Sequence, residues 1–137
     1  MSVKSKYRTS SALVREGVWF DLEKNSDGTP CRFKLRRAGR GNPLWSKSFR
    51  EHTADVDMDL IEPEDDELIT ANVFAEANVA EWEGFQPNDD GEVLPFSTEN
   101  AKMILADPDW VELLKDLQIK ANGITAFQQK REGEAGN

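Results

Sequence analysis

Cys31-Arg32-Phe33-Lys34-Leu35-Arg36-Arg37-Ala38-Gly39-Arg40-Gly41-Asn42-Pro43-Leu44-Trp45 is the stretch in which the chain changes its hydrophobic period. Cys31, Phe33 and Leu35 alternate with Arg32, Lys34 and Arg36, the period-two pattern of a strand with one apolar face. Gly39-Arg40-Gly41 breaks that pattern. Asn42 then supplies an N-cap oxygen, and Pro43 suits the first helical position, where its missing N–H costs nothing. Leu44, Trp45, Ser48 and Phe49 follow at helical spacing. Upstream, Val18-Trp19-Phe20 and Leu22 form a β-prone run, joined to the strand through the turn cluster Asn25-Ser26-Asp27-Gly28. An antiparallel hairpin is therefore expected at about 17–37, with Arg32, Lys34 and Arg36 on its polar face.

Downstream, the helical period dominates. A first helix is expected near 42–51. A second runs near 63–83, opening at Pro63 with acidic residues where the macrodipole favours anions, and carrying Leu68, Val73, Ala77 and Ala80 on its apolar side, broadened by Ile69, Phe74 and Trp82. A third is expected near 98–106, capped by Ser97 or Thr98 with Phe96 before it. A fourth is expected near 108–127, where Trp110, Leu113, Leu114, Leu117, Ala121 and Ile124 give the cleanest amphipathic series. The expected fold is thus α+β with helix dominant: an N-terminal antiparallel hairpin followed by about four helices. The domain would span 12–127, between a flexible basic tail at 1–11 and a polar tail at 128–137. Trp19, Phe33, Leu35, Trp45, Phe49, Phe74, Trp82, Phe96, Ile104, Trp110, Leu113, Leu114 and Leu117 are the expected core.

The 137 residues carry a net charge of −9, distributed unevenly. Residues 1–54 are net +7, residues 55–116 net −17 and residues 117–137 net +1. Such segregation either makes two solvated faces or prepares one face for a partner of opposite charge. No apolar run approaches the length of a membrane span, and no apolar stretch follows the basic start, so no secretory signal is expected. With one cysteine and one histidine, an intramolecular disulfide and a cysteine-based zinc finger are excluded.

Catalytic patterns fail in turn. Gly39-Arg40-Gly41-Asn42 lacks the lysine and spacing of a phosphate loop. Cys31 reads as a small core residue and His52 as a helix-end or solvated side chain, and no serine sits in a nucleophile motif. Asp55, Asp57 and Asp59 begin a calcium-loop spacing, but Leu60 stands where that loop needs glycine and Asp66 where it needs glutamate. No enzyme activity, cofactor or metal is expected. Arg32, Lys34, Arg36, Arg37 and Arg40, with Trp19 and Phe33 nearby, could form a phosphate and stacking platform, but the acidic body argues against nucleic acid.

Gly17-Val18-Trp19-Phe20-Asp21, then Phe33 through Pro43, then Val79-Ala80-Glu81-Trp82-Glu83-Gly84-Phe85, Asp89 through Ala101 (with Pro95-Phe96-Ser97-Thr98-Glu99-Asn100-Ala101) and Leu105-Ala106-Asp107-Pro108-Asp109-Trp110 form an ordered series over about residues 15–120. The series resembles the tail assembly chaperones of long-tailed bacteriophages. That resemblance implies a non-enzymatic protein of the host cell cytoplasm, absent from the mature virion, that binds the phage tape measure protein and recruits tail tube subunits. A long helical partner calls for an apolar face. Val73, Phe74, Trp110, Leu113 and Leu117 could supply one, unless those stripes are the domain's own core. The basic face of Arg32, Lys34, Arg36 and Arg37 is a second contact surface, suited to the acidic middle of another copy and hence to self-association. The alternatives are a structural head–tail or tail protein retained in the virion, and a nucleic-acid-binding regulator using the basic hairpin.

Overall fold

The computed structural model describes residues 2–39 and 41–128. In chain order its elements are α1 (Val3–Tyr7), α2 (Ser11–Glu16), β1 (Val18–Asp21), β2 (Arg32–Leu35), α3 (Pro43–Thr53), α4 (Pro63–Ala77), β3 (Val79–Glu83), α5 (Thr98–Ala106) and α6 (Val111–Asn122), with single 3₁₀ turns at Pro108–Trp110 and Thr125–Phe127. The strands form one antiparallel sheet in the order β1-β2-β3. The protein is therefore mixed α+β, and the expected order of an N-terminal hairpin followed only by helices is overturned. Two short helices precede the sheet, and its third strand comes from the far side of α4.

That third strand corrects the helix expected at 63–83. The helix ends at Ala77, where Asn78 is the C-cap, and the chain turns into β3. Two forces set the boundary. Asn78 is a poor helix interior residue, and its side-chain N–H₂ donates to the Arg36 carbonyl while its own carbonyl accepts from the Arg36 N–H. Beyond it, pairing with β2 places Trp82 beside Phe33 and leaves Glu81 and Glu83 on the open face. Sheet pairing thus outweighs a sequence that remains compatible with helix. A bulge between Lys34 and Leu35 absorbs Ala80 and keeps both Val79 and Trp82 inside.

The core lies between the sheet and α4, α5 and α6. Phe33, Trp82, Phe85, Phe96 and Trp110 form a chain of aromatic contacts at centroid distances of 5.1–5.4 Å. The indole N–H of Trp82 donates to the Leu94 carbonyl at 2.7 Å. Leu35, Ala75, Ala101, Leu105, Leu117 and Ala121 complete the interior. Three residues expected inside are not there. Trp19 lies on the open face of the sheet, and Trp45 and Phe49 lie along an exposed face of α3.

The helix expected at 108–127 is broken into a 3₁₀ turn, α6 and a second turn after Gly123. Within the stretch 1–11 expected as a tail lies α1, while α2 opens the expected domain. Gln128 ties α1 to the C-terminal end by donating to the Ser5 and Lys6 carbonyls. The rest of the expected C-terminal tail, 129–137, and Arg40 lie outside the described residues.

Ser97 caps α5, its hydroxyl accepting from the Asn100 N–H at 3.0 Å, while the Asn100 side chain donates to the Pro95 carbonyl at 2.8 Å. Ser97→Ala should cost about 1 kcal/mol, read as a lower urea midpoint at unchanged slope. An unchanged midpoint would show that the cap contributes nothing.

Candidate functional site

Three helices each bring an i, i+4 pair of side chains to one depression. On α4, Asp66, Ile69, Thr70, Val73 and Phe74 fall on a single face by helical spacing. Trp45 and Phe49 of α3 form the opposite wall, and Gln118 and Asn122 of α6 close one end. Ala38 and Gly39, in the connection that leaves the sheet, form the remaining edge. The space they line is about 300 Å³ and is open to solvent.

Trp45 and Phe49 stack face to face, with centroids 5.3 Å apart and rings 9° from parallel. Phe49 remains 37 % exposed, so this aromatic wall is open to solvent. Asn78 also lines the depression. It is fully buried, its side-chain nitrogen is used by Arg36, and its Oδ1 has no hydrogen-bond partner among the described residues. An unpaired buried acceptor of this kind costs about 1–3 kcal/mol.

Behind the groove, a polar knot fixes the angle between its walls. The Glu76 carboxylate of α4 accepts from Ser48 at 2.6 Å and meets His52 Nε2 at 3.0 Å, both on α3, and the Lys102 ammonium on α5 at 2.5 Å. Burial pushes the Glu76 pKa up, but the Lys102, Ser48 and His52 contacts together outweigh it and hold the value at about 2. His52, read from sequence as a helix-end or solvated side chain, thus belongs to an interhelical cluster.

Of the residues singled out from sequence, Val73 and Phe74 line the groove. Trp110, Leu113 and Leu117 do not. Leu117 has no exposed surface, while Trp110 and Leu113 pack against the core, Trp110 edge-on to Phe85 at 5.4 Å. A partner could not reach Leu117 without opening the fold.

The basic residues are not one stripe. Arg32 and Lys34 share the open face of the sheet, where cross-strand register sets Arg32 between Asp21 and Glu83, and Lys34 between Trp19 and Glu81. Arg32 pairs with Glu83 at 2.7 Å and lies 4.0 Å over the Trp19 ring. Arg36 and Arg37 lie past the end of β2. Arg36 donates to the Arg15 carbonyl at 3.0 Å, and burial lowers its pKa; the Nε of Arg37 is buried without a partner among the described residues. Sequence reading could not anticipate Glu81 and Glu83 opposite Lys34 and Arg32, because both acids come from β3, read as helix.

The groove's aromatic wall is illegible in the sequence for a different reason. Trp45 and Phe49 carry the correct i, i+4 signal, but large aromatic residues on an amphipathic helix read as core. The usable clue was the mixed face Asp66-Ile69-Thr70-Val73-Phe74, apolar at its buried end and polar at its open end. Among the described residues, no cluster of His, Cys, Asp and Glu has metal-binding geometry, and no helix is long and apolar enough to cross a membrane.

No curated protein and no solved structure matches this chain. A family model does. It covers residues 28–137, and so takes in every residue that lines the groove together with the Glu76 knot behind it. The chain belongs to the YdaY prophage protein family.

Proposed function

We propose that this prophage protein is a tail assembly chaperone. It holds the tape measure protein through a helix seated in the groove between α3, α4 and α6, and recruits tail tube subunits, without chemistry of its own. It acts in the host cytoplasm and leaves before the virion is complete. The observation that carries this reading is the open Trp45–Phe49 stack facing Ile69, Val73 and Phe74 across a space of about 300 Å³. Exposed aromatic anchors with aliphatic floors are the usual means by which a groove grips an amphipathic helix. The prophage family and the resemblance in sequence supply the context. The open face of the sheet is a poorer contact surface for another copy, since each of its cations already faces an acid.

Co-expression with the cognate tape measure protein tests the proposal. The two should co-purify, and the tape measure protein should stay soluble only when this chain is present. Mass spectrometry of purified particles should detect no copy. An insoluble tape measure protein with none of this chain bound would overturn the proposal, and retention in the particle would favour a structural tail component.

A further inference from the structure

We infer that the occupant of the groove is a basic amphipathic helix, with apolar residues at i, i+3/i+4 and i+7 and lysine or arginine flanking them. The inference rests on the groove being the partner site and adds the chemistry of the partner. Its first support is charge. Asp66 is part of the lining, and Glu62, Glu64, Asp65 and Glu67 surround it at the exposed start of α4. Asp55, Asp57 and Asp59 lie exposed in the connection from α3. Between Arg50 and Lys102 the sequence contains no lysine or arginine. The cations on the adjoining helices do not line the groove: Lys47 pairs with Glu51, Lys120 pairs with Asp116, and Arg50 faces solvent.

The second support is shape. The side chains that frame the space come as i, i+4 pairs from three helices, a spacing that ridges of another helix match. An acidic helix of the same apolar pattern would meet acids of its own sign, with no cation in the lining among the described residues. Positive flanks also speed encounter through the long-range field of the acidic surface.

Three fluorescein-labelled helical peptides, titrated against the full chain by anisotropy, test the assignment. They share length. The first has leucines in the apolar positions and lysine flanks, the second the same leucines with glutamate flanks, and the third lysine flanks with serine in place of leucine. The first should bind at least about ten-fold more tightly than either of the others, as a few charge pairs and anchors of ordinary strength imply. Its affinity should fall as salt rises from about 0.05 to about 0.5 M. Thr70→Arg, an exposed groove substitution, should abolish binding, and Asp66→Lys should weaken the lysine peptide while strengthening the glutamate one. Circular dichroism of both variants separates loss of binding from loss of fold. Equal binding of the lysine and glutamate peptides overturns the inference, as does undiminished binding to Thr70→Arg. So does a concentration-dependent dimer of the chain alone that Thr70→Arg dissolves, since the groove would then hold a second copy. If the tape measure protein co-purifies but no peptide binds, this inference falls and the chaperone reading stands; if the lysine peptide binds but the tape measure protein does not co-purify, the chaperone reading falls.

Discussion

Gly84→Ala should lower unfolding stability by about 3 kcal/mol, more than alanine at any other glycine among the described residues. Gly84 follows β3 with φ near +70°, a conformation L residues avoid. A Cβ there would also be driven into the Pro30 carbonyl oxygen, which is backbone and cannot swing away. The Gly84 carbonyl is itself held by the Asn25 side chain at 2.6 Å, and Asn25 Oδ1 accepts from the Gln86 N–H. The β1–β2 turn is thereby bolted to the exit of the third strand. Gly91 is the control: its φ is +77°, but nothing lies near its absent Cβ, so Gly91→Ala should cost only about 1 kcal/mol. Urea unfolding of both variants measures the difference, and equal losses would show that the close approach at Pro30 is not a constraint.

Acid should act mainly through Glu76. Its pKa of about 2 lies below the ordinary 4.5, so the charged form is favoured by folding. The stabilisation is complete above pH 4.5 and is lost as pH falls through about 2. At about 1.4 kcal/mol per unit, the full contribution is about 3 kcal/mol, with little discount for solvent because the side chain is only 22 % exposed. Glu76→Gln keeps the shape and removes the charge. Its stability should fall less steeply than the parent's between pH 5 and pH 2, and parallel curves would show that the Lys102, Ser48 and His52 contacts do not depend on the carboxylate. Since Ser48 and His52 belong to α3 and Lys102 to α5, the same variant should loosen the wall that carries Trp45 and Phe49.

The local signals in this sequence were strongest where a single element decides its own conformation. Asn42-Pro43 started α3, Ser97 capped α5, and the alternation of Phe33 and Leu35 placed β2, because caps, proline and period act within a few residues. Failures came where distant pairing decided. Val79–Glu83 is extended because β2 offers it a partner, and nothing inside the segment announces that. Once β3 was read as helix, Glu81 and Glu83 were absent from the sheet, so Arg32 and Lys34 looked like an unopposed basic face. The groove is half legible: the sequence marks Val73 and Phe74 as contact candidates, while the helical spacing of Trp45 and Phe49 reads as core. Hydrophobic period locates an apolar face; it does not say whether the same chain covers it. The motif that carries the family resemblance, from Trp82 through Pro95-Phe96-Ser97 to Asp107-Pro108 and Trp110, turned out to build the aromatic core and the α5 cap, on which the groove-bearing helices rest.

The four tryptophans mark four places: Trp19 the open face of the sheet, Trp45 the groove, Trp82 the core and Trp110 the core's edge. The protein labelled with 5-fluorotryptophan should give four ¹⁹F resonances, assignable with single Trp→Phe variants. On adding a helical fragment of the tape measure protein, the Trp45 resonance should shift and saturate with the binding curve while those of Trp82 and Trp110 stay in place. A bound fragment that moves Trp19 and leaves Trp45 unchanged would contradict the assignment of the groove as the partner site.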